Sequence, residues 1–444
     1  MDNLKNFESV KKMVRHEKIH LTGGGILGVD GKIKKKEIFI SGKKIISIND
    51  GDNYPNDFIP DLTFDAKNKI ISRGFVDCSV KFRELIKNSN TDLEQELNAV
   101  AAGGVTNFVC QPDINFPIDK PGLVKMLINR IQRYRKANIH PLGALTKNLR
   151  GEQISEMAKL NDAGCMAFTQ SNFPISDTLV LFKALQYAST FDFPVWLSPS
   201  EPFLGLGGVV HSGKCSTRLG LKGIPVESES ISIMTILELA RKLDVRIHFC
   251  RISSSRGVDL IRQAKSEGLR VTADVCVYHL HLTENDIGDF DTNFKVFPPF
   301  RSVRDRDALT KGLIDGTIDC ICSDHLPVED DAKNLPFTDA EAGLIGVEFL
   351  LPLTLKWAKE NGVELKKALS FLTVKPLHLL GVNLDDIQVG NTANICIFDP
   401  TKTWIVNSSN LSTKAKNSPF FGYELEGRVF ATIVNGVFTY QEKI

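Results

Sequence analysis

No run in this 444-residue sequence approaches the ~20 consecutive apolar residues that span a bilayer. The opening MDNLKNFESVKK lacks an apolar stretch of signal-peptide length, so the expected location is the cytoplasm. Among the nine cysteines there is no C-x-x-C pair, and their number at this length does not make a disulfide framework. They read as small buried hydrophobes in a reducing compartment, with Cys320 and Cys322 alternating along one strand and pointing the same way. Charge of one sign is also missing. A net charge of +1 offers no global attraction to nucleic acid or an anionic membrane, and runs such as Lys34–Lys36 read as solvated surface. There is no internal repeat and no low-complexity tract.

What is present is an ordinary globular balance, 42% hydrophobic and 24% charged. The chain is long enough for one large α/β barrel with an accessory domain. Residues 1–17 read as a polar N-terminal extension. Residues 18–70 are short β-like runs broken by Gly and Asp-Gly turns, and the far end, with NICIFDP and GRVFATIVNGVFTY, has the same character. These ends, 18–70 plus 380–444, are expected to build one small composite β-domain. Between them, over 71–379, strand-like and helix-like segments alternate. Candidate strands are 72–78, 105–110, 140–145, 165–169, 194–198, 246–250, 271–276 and 318–323. Strands separated by helical patterns predict a (β/α)8 TIM-type barrel, whose chemistry sits on the loops at the C-terminal ends of the strands.

The first of those ends is GFVDCSVKFRE, residues 74–84. Many metal hydrolases close such a strand with Asp-x-His-x-His, two imidazoles gripping a metal. Here the same frame after Asp77 carries Ser79 and Lys81, a hydroxyl and an ammonium. Later strands end in VCQPDINFP, AFTQSNFPI, VWLSPSEP, IHFCRISSSRGV and IDCICSDHLP.

Together with GLRVTADVCVYHLHLTENDI, NFKVFPPFRSVRDRDALTKGLIDGTIDCICSDHLP and GLIGVEFLLPL, these stretches resemble the dihydroorotase branch of the amidohydrolase superfamily, in its larger bacterial form. The resemblance runs over nearly the whole chain and implies the barrel with its terminal β-domain. It also implies a zinc site, and there the residues depart from the family. The two strand-1 histidines are Ser79 and Lys81. The strand-4 ligand frame holds Gln170 and Ser171, the strand-5 histidine position holds Pro199, and the strand-6 position holds Arg251. The strand-8 aspartate, general base and metal contact in the family, persists as Asp324. Of the substrate anchors, Arg83 fits the family arginine that holds a carboxylate. Asp113, Phe297 and Val328 stand where the family has Asn, Asn and His.

Zinc takes imidazole, thiolate or carboxylate ligands, and two cations in its place would repel it. Without the metal, no bound water has its pKa brought from ~15.7 toward ~7. The expectation is therefore no cofactor, and a mouth in which Lys81 or Arg251 pairs with Asp324, since a lone buried carboxylate is costly. The remaining histidines read as structural: His325 hydrogen-bonded near strand 8, His279 and His281 packed or capping, His248 within a strand. The glycine-rich segment 204–223 reads as a long mobile loop without a phosphate-binding frame, and the loop after Asp324 as a lid or partner-binding segment.

Three functions compete. The first is a catalytically inactive dihydroorotase homologue of pyrimidine biosynthesis. The resemblance implies aspartate carbamoyltransferase as its assembly partner and a homodimer as its base unit. The second is an active cyclic amidohydrolase with an atypical or metal-free site, interconverting dihydroorotate and N-carbamoyl-aspartate through Asp324, Arg83 and Lys81. The third is a binding module whose cationic mouth holds an anionic intermediate without turning it over.

Overall fold

The computed structural model describes residues 17–27, 31–51, 54–82, 90–113, 115–382 and 387–442. The N-terminal extension and Arg83 thus lie outside the described residues, apart from residue 17.

The chain begins with five strands: β1 (Lys18–Leu27), β2 (Ile33–Ser41), β3 (Lys44–Asn49), β4 (Leu62–Asp65) and β5 (Ile70–Arg73). The barrel strands follow as β6 (Phe75–Val80), β7 (Val105–Cys110), β8 (Asn138–Ala144), β9 (Ala167–Thr169) and β10 (Val195–Leu197). After a short parallel pair, β11 (Val210–His211) and β12 (Gly223–Ile224), the barrel resumes. Its last strands are β13 (Ile247–Phe249), β14 (Val271–Cys276) and β15 (Cys320–Cys322). The chain ends with β16 (Ile395–Ile405), β17 (Glu424–Val434) and β18 (Val437–Gln441).

Two eight-stranded sheets result. One joins both ends of the chain in the order β18-β17-β16-β5-β1-β2-β3, with β4 on β1. Its apolar face, including Ile38, Ile71, Ile395 and Ile433, is a core of its own. The other runs β6 to β15 through consecutive parallel pairs. Helices between its strands, such as Asn90–Ala102, Pro121–Gln132 and Ser255–Ser266, give the (β/α)8 barrel. Side-chain caps start two of the barrel helices: Ser254 accepts from Gly257 N ahead of Ser255–Ser266, and Asp177 from Leu179 N ahead of Thr178–Thr190.

The predicted strand 72–78 is in fact two strands in different sheets, β5 and β6, meeting at Gly74. A Cβ there would lie 2.1 Å from Thr106 Cγ2, so only glycine lets the chain cross from one sheet to the other. The reading of 204–223 as a mobile loop is corrected. It holds β11, β12 and the helix Lys214–Leu219. Val210 and Cys215 pack on Ile287 and Phe337 in a small third core, and buried Arg301 donates to Ile224 O at 2.6 Å. Glycine content alone hid these apolar anchors.

The first and last barrel strands meet at a seam. Val80 and His325 form an isolated parallel bridge, with Lys81 N donating to His325 O and His325 N to Ser79 O. Asp77 completes it. Its buried carboxylate accepts from Ser79 N at 3.1 Å, from Ser323 N at 3.0 Å and from the Ser323 hydroxyl. Burial pushes Asp77 up to about 6, against the pull of those bonds.

Candidate functional site

The C-terminal ends of the barrel strands converge on Asp324, which follows β15. Its Oδ1 accepts from the Ser79 hydroxyl at 2.8 Å and from Arg251 Nη1 at 3.0 Å. Its Oδ2 accepts from the Tyr278 hydroxyl at 3.2 Å. Lys81 Nζ stands 3.6 Å from Oδ1, an ion pair without a hydrogen bond. Both cations expected from the sequence therefore face this carboxylate. Burial would raise the Asp324 pKa, but Arg251 and then Lys81 outweigh it and hold it at about 2.

Arg251 is the centre of the arrangement. Its residue exposure is 1%, and its second terminal nitrogen donates to Asn172 Oδ1 at 2.5 Å and to the Ser198 hydroxyl. One guanidinium thus ties together the ends of β9, β10, β13 and β15. Burial opposes its charge, yet the Asp324 carboxylate keeps it protonated, with its pKa raised. For Lys81, burial and then Arg251 favour the neutral amine, and its pKa is lowered despite Asp324.

The backbone here is held in an unusual conformation. Ser171, Arg251 and Asp324 have φ of 53°, 56° and 43°, in the left-handed region. Such residues cost about 1–3 kcal/mol each and persist only where their surroundings over-determine them. Part of that support is Asp274, which accepts from Arg251 N at 2.6 Å. Asp274 also pairs with His248 Nε2 at 2.9 Å and accepts from Cys322 Sγ at 3.5 Å.

His248, Cys250 and Asp274 form a buried group close enough to ligate one ion. Both imidazole nitrogens of His248 are already engaged, Nδ1 with Thr272 Oγ1 at 2.9 Å. Burial raises the Cys250 thiol well above its usual range, which disfavours the thiolate. The group acts as a brace beneath Arg251.

Other positions singled out in the sequence do not touch Asp324. Gln170 turns away, accepting from Thr146 Oγ1 at 2.9 Å and donating to Leu149 O at 2.8 Å. Pro199 is buried beside Ser198, and it is the serine that reaches Arg251. Asp113 is exposed and acts on Lys81 through its charge. Phe297 is half-buried, and Val328 is buried with its N–H on Asn417 Oδ1 at 3.1 Å. His325 and His279 are structural, as expected. Gly346 N donates to His325 Nδ1 at 3.2 Å, and its Nε2 faces Glu96 at 3.0 Å. His279 Nε2 meets Pro299 O at 3.3 Å, and His281 Nε2 meets Leu353 O at 2.9 Å. Sequence reasoning missed Asn172, Ser198, Tyr278 and Gln111; the last donates to Ser79 Oγ at 3.3 Å. Ser198 was one residue from a flagged position, whereas Tyr278 carried no signal.

A "Dihydroorotase-like protein" of Pseudomonas aeruginosa is 36% identical over 405 residues, covering 91% of this chain and 95% of that protein. The chain belongs to the dihydroorotase family. A dihydroorotase of Ruminiclostridium cellulolyticum is 37% identical over 381 residues, 86% of this chain and 89% of that one. The Dihydro-orotase-like family model matches residues 68–257. The solved L-hydantoinase (dihydropyrimidinase) of Arthrobacter aurescens covers 96% of both chains at a TM-score of 0.82 and 24% identity, which establishes the amidohydrolase fold. Among the described residues, no helix is long and apolar enough to cross a membrane.

Proposed function

We propose that this chain is a dihydroorotase-family protein whose own site does no chemistry, and that it serves as the assembly partner of aspartate carbamoyltransferase. The observation that carries the first half is the Arg251–Asp324 contact at 3.0 Å. Zinc, the metal the family resemblance implies, does not fit the groups around Asp324. They are two hydroxyls, a guanidinium and an ammonium. Neutral hydroxyls are weak ligands and the cations repel a divalent ion. Arg251 does part of what a metal would do, since it gathers Asp324, Asn172 and Ser198 around one positive charge. It cannot polarise a water into hydroxide. Asp324, held at about 2, is also a weak base toward an unactivated water.

The assembly role rests on the resemblance to non-catalytic family members and on coherent loss of chemistry from an intact frame. A metal-free amidohydrolase is the second reading. Lys81 favours it, because its lowered pKa beside a carboxylate suits a general base.

One experiment separates them. The chain is co-expressed with aspartate carbamoyltransferase from the same genome, then assayed for co-elution, zinc content and dihydroorotate ring opening at micromolar protein. Co-elution without stoichiometric zinc or turnover supports the scaffold. Turnover that is lost in Lys81→Met supports the second reading. Stoichiometric zinc together with turnover overturns both.

A further inference from the structure

A groove of about 730 Å³ lies between helices Val303–Asp315 and Leu350–Glu360, the turn at 280–282 and the chain at 420–425. It shares no lining residue with Asp324 and its partners. His281 lines it with a side chain only 5% exposed. His281 Nε2 lies 2.9 Å from Leu353 O. A carbonyl oxygen can only accept, so Nε2 carries the proton and Nδ1 is left as an acceptor. Burial, which pulls the His281 pKa down to about 4, keeps the ring in that neutral form. Nδ1 faces Glu360 Oε2, a second acceptor, at 4.0 Å. The other carboxylate oxygen is taken by Lys356. Two acceptors facing each other need a donor between them, because a buried polar atom is normally paired. A nitrogen about 3 Å from each would bridge the gap. The groove also holds an uncommitted cation. Arg306 pairs with Asp307 at 3.0 Å, whereas Lys311 makes no ion pair or hydrogen bond among the described residues. The lining is otherwise largely apolar, with Ile314 and Tyr423 exposed and Leu353 buried.

We propose that this groove is a binding site for an apolar α-amino acid. The ligand ammonium donates to His281 Nδ1 and Glu360 Oε2, its carboxylate pairs with Lys311, and its side chain covers Ile314 and Tyr423. Each charge of the zwitterion thus meets a group that has capacity to spare. The volume falls within the roughly 300–1,000 Å³ of small-molecule sites, which join an apolar lining to a few convergent polar groups. A carboxylate alone does not fit, since it would bring a third acceptor to His281 and Glu360. The site stands whether or not the barrel mouth is catalytic and whether or not the chain assembles with a partner.

The test is calorimetric titration of the full chain with three probes. They are leucine, 3-methylbutylamine, which lacks the carboxylate, and 4-methylpentanoate, which lacks the amine. Leucine is expected to saturate one site per chain, the amine to bind more weakly, and the acid not to bind. Glu360→Gln changes a side chain that is 51% exposed, so the fold should tolerate it. It should weaken leucine about ten-fold, the worth of one hydrogen bond to a charged group. Lys311→Met, also at an exposed position, should lower leucine to the affinity of the amine and leave the amine unchanged. No saturable binding of leucine at millimolar concentration would overturn the proposal. So would equal binding of leucine and 4-methylpentanoate, or an unchanged leucine affinity in Glu360→Gln. An unchanged leucine affinity in Lys311→Met would overturn the role of Lys311.

Discussion

Arg251 and Asp324, 73 residues apart in sequence, meet at 3.0 Å inside a barrel mouth where neither side chain exceeds 7% exposure. A buried pair of this kind punishes removal of one partner more than removal of both. Arg251→Met should destabilise the protein by about 3–5 kcal/mol, because among the described residues it leaves the carboxylate with two hydroxyl donors and only the more distant Lys81 as a cation. Arg251→Met combined with Asp324→Leu should recover most of that loss. Urea unfolding of the two single variants and the double one measures the coupling. Additive losses would show that the pair is not a unit.

Metal supplementation should leave stability unchanged. A ligand that binds only the folded state raises the melting temperature with its concentration. Thermal melts with added zinc, and with chelator, are expected to superimpose. A zinc-dependent rise that disappears in Asp324→Asn would mean the ion displaces Arg251 from the carboxylate.

Stability should fall as pH rises through the mildly acidic range. Asp77 is raised from 3.8 to about 6 and Glu348 from 4.5 to about 7, both mainly by burial. A carboxyl whose folded pKa is raised contributes stability below its unfolded pKa and loses it as pH climbs through the folded value. Asp324 works the other way. Held at about 2, it stabilises the fold above its unfolded pKa, and that contribution goes as pH falls toward 2. Glu348 accepts from Ser412 N at 2.8 Å and Thr413 N at 3.1 Å, which glutamine could also do. Glu348→Gln should therefore flatten the loss between pH 4.5 and 7. Denaturation midpoints across that range would test it, and an unchanged slope would count against the assignment.

Asp77→Ala should open the barrel at one place. It strands the N–H groups of Ser79 and Ser323 and the Ser323 hydroxyl, each an unsatisfied buried donor worth about 1–3 kcal/mol. Hydrogen exchange should rise first at 77–81 and 323–325. Uniform protection in the variant would place the seam's strength elsewhere.

The barrel was legible because its signal is local. Helix starts such as Asp177 and Ser254 and apolar runs such as Val105–Cys110 declare themselves within a few residues. The pairing of Arg251 and Lys81 with Asp324 was legible through charge, since a buried carboxylate needs a counter-ion. Gln170 illustrates what was not. Its position marks it for the mouth, yet it turns toward Thr146 and Leu149, a choice made by the neighbouring loop. Tyr278 and Asn172 reach the mouth through the turns that follow their strands, and no spacing rule encodes that reach. The segment 204–223 was misjudged because its glycines outweighed the apolar residues that dock it.

The seam also has a kinetic meaning. Asp77 finds Ser323 only after 246 further residues have been made and arranged. Until then its carboxylate stays in water and the barrel remains an open, curling sheet with two free edges. Contacts this distant in sequence form late, because the loop they close is entropically expensive. Closure at Asp77 is therefore expected to be among the last events of folding. A nascent chain that stops short of β15 would expose the edge of β6, so the released protein depends on its final barrel strand for protection from aggregation.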